Sequence, residues 1–311
     1  MNNNLEAKLT ADFYSKLKYP GPNALTTYLW ANYLKPYLKN KKFTFIDAGC
    51  GSGRHTAGML DLFPNSKAIC LDVSKNSLEL AKELFKQKGH LNRVKFINQS
   101  FLNEIRLKNQ VDLGLAIGTI HHTPNPSKAL KNITKTLKPG GILGLMVYSD
   151  KSSQRRYEIK KAIKLLSLNK TLKNAEQAIV DYELKYEGFM DEPLRTIIRD
   201  IRNFLSHRIK VIMKIKSHGY LKDLSKSILV ADGYLAPIDV SFDTQGIKKL
   251  LEKSNLEIIE FISPERMMDE KMLPRSWLKP WKKLDFWNKV QIMEIINPSP
   301  TSWSLICRKI K

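Results

Sequence analysis

From about residue 43 to residue 147 the chain alternates short apolar runs with polar-apolar stretches of helix length. The runs at 43–46, 68–71, 94–97, 113–117 and 142–147 are rich in Ile, Leu, Val and Phe. Continuous apolar runs of this length, bounded by turn residues, read as strands buried on both faces. Between them, apolar positions at helical spacing predict helices near 54–62, 75–88 and 126–137. Strands alternating with helices build a parallel sheet covered on both sides. Ahead of this block, 5–17 and 24–38 read as two helices broken by Tyr19-Pro20-Gly21-Pro22, an N-terminal helical cap over residues 1–42. Past residue 149 the strand signal vanishes, and charged helical patterns predict a helical lid inserted over 150–240. It returns at 256–262 and 302–307, with a helix expected at 246–254, so residues 241–311 complete the sheet begun at 43–149. The expected fold is α/β: a doubly wound, mainly parallel, seven-stranded sheet with helices on both faces.

Composition narrows the class. The 311 residues suffice for a large core, and the longest apolar stretches fall well short of the ~20 residues of a membrane span. The opening MNNNLEAKLTADFY lacks an apolar run behind a basic start, so a cytoplasmic location is expected. Cys50, Cys70 and Cys307 show neither metal-ligand nor redox spacing, which argues against structural zinc and a disulfide framework. Net charge is +22 with a pI near 9.8, spread along the chain. Such a field attracts polyanions and acidic metabolites, although a Lys-rich composition also serves solubility alone. The densest patch, 195–226, holds nine basic and two acidic residues, with His207, His218 and Tyr220 interleaved among them. It carries no nucleic-acid motif and reads better as a solvated helix face than as a surface recognising phosphate or a stacked base.

The sharpest chemical signal is Asp47-Ala48-Gly49-Cys50-Gly51-Ser52-Gly53-Arg54, where the first strand must turn into the first helix. Glycines there let a ligand approach bare main chain. A dinucleotide fingerprint needs its third glycine or an alanine at position 54, which is Arg54, and a phosphate-binding loop would close on Gly-Lys-Ser/Thr, which is missing. Asp72 ends the second run, where a carboxylate can accept hydrogen bonds from both hydroxyls of a ribose.

These residues, together with Val111 to His122, its His121-His122-Thr123-Pro124 ending and Leu137-Lys138-Pro139-Gly140-Gly141, resemble the class I S-adenosylmethionine-dependent methyltransferases. The resemblance covers about 43–149 and is architectural beyond it. It implies S-adenosyl-L-methionine as cofactor, with Gly49, Gly51 and Gly53 wrapping its methionine part and Asp47 near its amino group. Asp72 would hold the ribose and Val73 would pack beside the adenine. Ser100 stands where family members often carry an aspartate facing the adenine amino group. Phe101 would pack on the ring, and Ile117 and Gly118 would line the sulfonium side.

Methyl transfer from a sulfonium has a good leaving group and needs chiefly positioning. An acceptor that loses a proton also needs a base, and His121 and His122 sit at the carboxyl edge where ligands meet parallel strands. A turn-ordering role for the pair remains open. Tyr148, ending the fifth strand, is a further candidate to face the acceptor. Tyr14 and Tyr19 read as core aromatics or as a cover over the cofactor, and Trp277, Trp281, Trp287 and Trp303 as anchors of the last strand. The expected function is methyl transfer to a small or medium-sized acceptor under a helical lid. The alternatives are methylation of RNA or another polyanion through the basic surface, and a cofactor-binding partner protein without catalysis.

Overall fold

In a computed structural model of the chain, the described residues are 8–10, 12–14, 26–38, 42–168, 171, 174–175, 177–179, 231–263, 270–296 and 302–310. All seven expected strands form: β1 (Thr44–Ala48), β2 (Lys67–Asp72), β3 (Val94–Asn98), β4 (Val111–Ile117), β5 (Leu137–Tyr148), β6 (Leu256–Ser263) and β7 (Ser302–Lys309). They make one sheet in the order β3-β2-β1-β4-β5-β7-β6, parallel from β3 to β5. β7 runs antiparallel between β5 and β6. β5 begins earlier than its apolar run, because Leu137 already pairs with Val111. A register irregularity around Pro139 and Gly140 then absorbs the offset before Leu113 meets Ile142.

The helices start where local chemistry caps them. The helices are α1 (Thr26–Leu34), α2 (Arg54–Leu62), α3 (Lys75–Gln87), α4 (Pro126–Thr136), α5 (Asp150–Leu165), α6 (Thr244–Glu252), α7 (Arg275–Lys282) and α8 (Phe286–Ile296). Ser74 Oγ accepts from Ser77 N at 3.2 Å, Asn125 Oδ1 from Lys128 N at 2.9 Å, and Asp243 Oδ1 from Gly246 N at 2.6 Å. Each satisfies an amide the helix itself cannot. At the start of α6, the buried Glu294 carboxylate of α8 also accepts from Thr244 N and Oγ1, at 3.0 and 2.5 Å.

The sheet separates two apolar cores. Phe45, Leu113 and Leu115 point to one side and pack with Trp30 and Leu34 of α1, Met59 and Leu60 of α2 and Phe85 of α3. Ile46, Ala116, Leu145 and Val147 point to the other, against Leu130 and Ile133 of α4, Leu250 of α6 and the fully buried Trp303 of β7. Strand alternation buried on both faces accounts for the unbroken apolar runs of the sequence. Trp281 is likewise buried and Trp287 packs against the second core, whereas Trp277 is about half exposed. Of the helical insertion expected over 150–240, the structure describes α5, residues 166–168, 171, 174–175 and 177–179, and residues 231–240. The basic patch at 195–226, with His207, His218 and Tyr220, lies outside the described residues, as does Tyr19. Among the described residues no helix is long and apolar enough to cross a membrane.

Candidate functional site

The strand order reverses between β1 and β4, and a crevice opens at such a point beyond the carboxyl ends of the strands. Two loops face each other there. After β1, Gly49, Gly51 and Gly53 all adopt positive φ, at 78°, 54° and 82°, which only glycine takes without strain. After β4, Gly118 is at φ 69°, and a side chain there would point into open space. The two loops touch: a Cβ on Gly49 would fall 2.5 Å from Thr119 Cγ2. Gly53 is the N-cap residue of α2, and a Cβ there would strike the Phe85 ring at 2.6 Å.

Two buried carboxylates underlie the glycine loop. Asp72 Oδ2 accepts from Gly51 N at 2.9 Å and Oδ1 from Ser74 N at 2.8 Å. Burial raises its pKa despite these bonds. Asp47 Oδ2 accepts from Thr56 Oγ1 at 2.6 Å, and burial, abetted by the charge of Asp72, pushes its carboxyl up to about 7. Neither shift has a cation among its causes. The pair therefore suits a ligand that brings an ammonium and hydroxyl groups, and the void before Gly118 suits one laid across bare main chain. These features fit S-adenosylmethionine.

Around this frame the other expected cofactor residues fall as follows. Val73 is half-buried, and its carbonyl and that of Asp72 each accept from Asn98 Nδ2 at 3.0 Å, which ties the ends of β2 and β3 together. Ser100 Oγ accepts from Leu102 N at 3.2 Å and caps the turn that follows β3. Phe101 is turned into the core, 8% exposed, with its carbonyl held by Asn132 Nδ2 at 3.0 Å. Ile117 is partly buried against the first core.

The histidine pair forms a short 3₁₀ turn, Ile120–His122, at the end of β4. His121 is fully buried, its ring 4.2 Å from His122 and 4.1 Å from Tyr148. Neither of its ring nitrogens has a hydrogen-bond partner among the described residues. Burial first, then the neighbouring His122 and Arg156, hold its pKa well below the usual imidazole range. His122 is differently placed. Its Nδ1 lies 2.9 Å from Ile238 O and donates to it, and its ring stands 5.8 Å from that of Tyr14. Thr10 Oγ1 donates to its carbonyl at 3.4 Å. Tyr148 lies between His121 and Arg156, whose guanidinium carbon is 4.1 Å from the ring centroid.

A strap returning from the insertion lies along this edge. Val240 N donates to His121 O at 2.9 Å, Phe242 N to Tyr148 O at 3.0 Å, and Trp303 Nε1 to Phe242 O at 2.7 Å. Arg156, Thr56, the strap and the contact of residues 10 and 14 with His122 were not singled out from the sequence. Thr56 follows the loop by one helical turn and had a local signal; the others depend on long-range pairing.

Known proteins place this architecture. The family model described as a methyltransferase domain matches residues 39–200, just over half of the chain. Among solved structures, PKMT2 from Rickettsia typhi aligns over 93% of this chain at TM-score 0.66 and 20% identity. Its complex with AdoHcy aligns at 0.68 and 19%, over the same 93%. An uncharacterized protein of Synechococcus sp. is 22% identical over 82% of this chain. The chain spans just over half the length of these relatives, 54% of the Rickettsia chain and 58% of the Synechococcus protein. By its domain, its sheet order and the residues at its switch point, the chain belongs to the class I S-adenosylmethionine-dependent methyltransferases.

Proposed function

We propose that this chain transfers a methyl group to a small or medium-sized acceptor held at the carboxyl edge of β4 and β5, with His121 taking the acceptor's proton. When bound, S-adenosylmethionine supplies an electrophilic methyl group on a sulfonium whose sulfur departs as a neutral thioether. The chain's own residues do the rest. Asp47 meets the cofactor's ammonium, Asp72 its ribose, Val73 and Ser100 border its adenine while Phe101 backs that turn from the core, and Ile117 and Gly118 leave room for the sulfur. Holding donor and acceptor in line is worth up to ~7–11 kcal/mol in favourable cases.

The single observation that carries this reading is His121. Across the switch point from the glycine loop, it buries two ring nitrogens with no partner among the described residues. Leaving such atoms unsatisfied costs roughly 1–3 kcal/mol each, which an acceptor would relieve. Because its imidazole stays neutral at physiological pH, one ring nitrogen is free to accept a proton. His122, engaged with the strap through Nδ1, is the orienting member of the pair. Residues 10 and 14 on one side and 236–242 on the other support enclosure of the acceptor, which excludes water.

The test is calorimetry with S-adenosylmethionine and AdoHcy, followed by transfer of a labelled methyl group into a metabolite extract by the wild type and by His121→Ala. Binding plus labelling that the variant loses supports the reading. Binding of a nicotinamide dinucleotide in place of AdoHcy rejects it. Tight AdoHcy binding without any product points instead to a cofactor-binding partner protein.

A further inference from the structure

The cations of α5 differ in what they meet. Lys151 Nζ donates to the carbonyls of Glu294 and Ile295 at 3.0 and 2.9 Å, Arg155 pairs with Glu158 at 3.1 Å, and Lys160 lies 3.4 Å from the Asp239 carboxylate. Arg156 has no carboxylate within ion-pair distance among the described residues. Its Nη2 donates to Ser153 Oγ at 2.6 Å and its Nη1 to Gly233 O at 3.3 Å, and the Tyr148 ring lies against its guanidinium. A hydroxyl, a carbonyl and an aromatic face thus fix a partly buried cation in place, and all three are neutral.

Partial burial of a charge without a counter-charge is unfavourable, and a cation–π contact offsets only part of that. Of the five N–H groups of a guanidinium, two are engaged by the described residues, and the remainder of the planar fork suits a carboxylate or phosphate. The same Tyr148 ring that borders Arg156 also borders His121. Among the described residues, a cation without a carboxylate partner therefore sits one aromatic ring away from an imidazole without a hydrogen bond.

We propose that the acceptor carries an oxyanion, a carboxylate or a phosphate, and that Arg156 receives it and so turns the acceptor's nucleophilic atom toward His121 and Gly118. This rests on the methyl-transfer reading above and names the substrate class of that site. Two further features agree with it. The +22 field of the chain draws anionic metabolites. Arg156 also contributes to holding His121 a weak base, so an oxyanion on Arg156 strengthens that base when the acceptor is in place.

The experiment uses the full chain loaded with AdoHcy, with its His and Tyr rings isotopically labelled for NMR, and titrates in sulfate or acetate as the probe. Calorimetry with AdoHcy comes first and shows whether the wild type and each variant are folded and bind cofactor. Saturable shifts of the Tyr148 and His121 ring signals are expected in the wild type. R156Q should weaken the apparent affinity at least tenfold, and R156K, which keeps the charge without the fork, should fall between. A response to both probes marks a carboxylate-competent site, and a response to sulfate alone a phosphate-like one. No saturable shift in the wild type, or equal affinity in R156Q, overturns the inference while AdoHcy binding keeps the methyl-transfer reading intact. If AdoHcy itself fails to bind the wild type, the methyl-transfer reading falls, and this inference with it.

Discussion

The amide of Gly51 donates to Oδ2 of Asp72 at 2.9 Å, so the carboxylate expected to grip the ribose also ties down the loop expected to wrap the methionine. Its other oxygen holds Ser74 N at the start of α3. Asp72→Ala removes both anchors together with the ribose contact, and the Kd for AdoHcy should rise about a hundredfold, equivalent to ~2.7 kcal/mol. Asp72→Asn retains one acceptor oxygen for two amides and should fall between. Calorimetry reads both; an unchanged Kd in the alanine variant would place the ribose elsewhere.

Asp47 makes a pH-dependent prediction. Its carboxyl is pushed up to about 7 in the folded chain, against an ordinary value of 3.8. An acid raised in the folded state contributes relative stability below about pH 4, and that contribution is lost as pH rises to about 7, for a total of roughly 4 kcal/mol. Asp47→Asn should flatten the fall in stability between pH 4 and 7, measured by urea unfolding. An ammonium beside Asp47 favours the ionised form. AdoHcy binding near pH 7 should therefore release about half a proton in the wild type and almost none in the variant. Titration calorimetry in buffers of different ionisation heat counts that proton.

His121 and His122 should separate in kinetics. With its imidazole held well below the usual range by burial, His121 stays neutral in the free chain as pH drops through 6.5, so kcat/KM should not decline over pH 6–7 as an ordinary histidine base would require. His121→Ala is expected to lower kcat by 10²–10⁴ with little change in KM, the span of a lost general base. His122→Ala loses the bond to Ile238 and should act chiefly on KM through the strap. Equal and small effects of both substitutions would return the pair to a structural role.

The parts of this molecule legible in its sequence are those that local chemistry dictates. β2 and the interior of β4 announce themselves because burial on both faces leaves no polar position, and the loop at Gly49 to Gly53 is visible because three glycines meet one steric demand. The direction of β7 is not legible: an apolar run such as Leu305–Cys307 carries no direction of its own, and only the pairing of Trp303 with Val147 and Leu305 with Leu145 sets it antiparallel. The strap was hidden for the same reason, since the bond from His122 to Ile238 spans 116 residues. Arg156 looked like one more basic residue on a charged helix, because what distinguishes it is the Tyr148 ring on a different element.

Gly58 shows how such a hidden contact is tested. It lies in the middle of α2, where glycine costs about 1 kcal/mol relative to alanine, so on propensity alone Gly58→Ala should stabilise the chain. Yet a Cβ at this position would sit 2.0 Å from the carbonyl oxygen of Thr27, a backbone atom of α1 that cannot swing aside. The close approach of the two helices buries Trp30 and Leu34 against the first core. Gly58→Ala must push α1 outward and partly strip that apolar surface, at roughly 1–3 kcal/mol, the scale of an overpacked core. Gly89→Ala provides the contrast: its φ of 71° is strained for alanine, but nothing lies within 4 Å of the added carbon, so about 1 kcal/mol is expected. Urea unfolding of the two variants distinguishes packing from backbone strain, and a Gly58→Ala protein as stable as the wild type would mean that α1 does not seat on α2 as described.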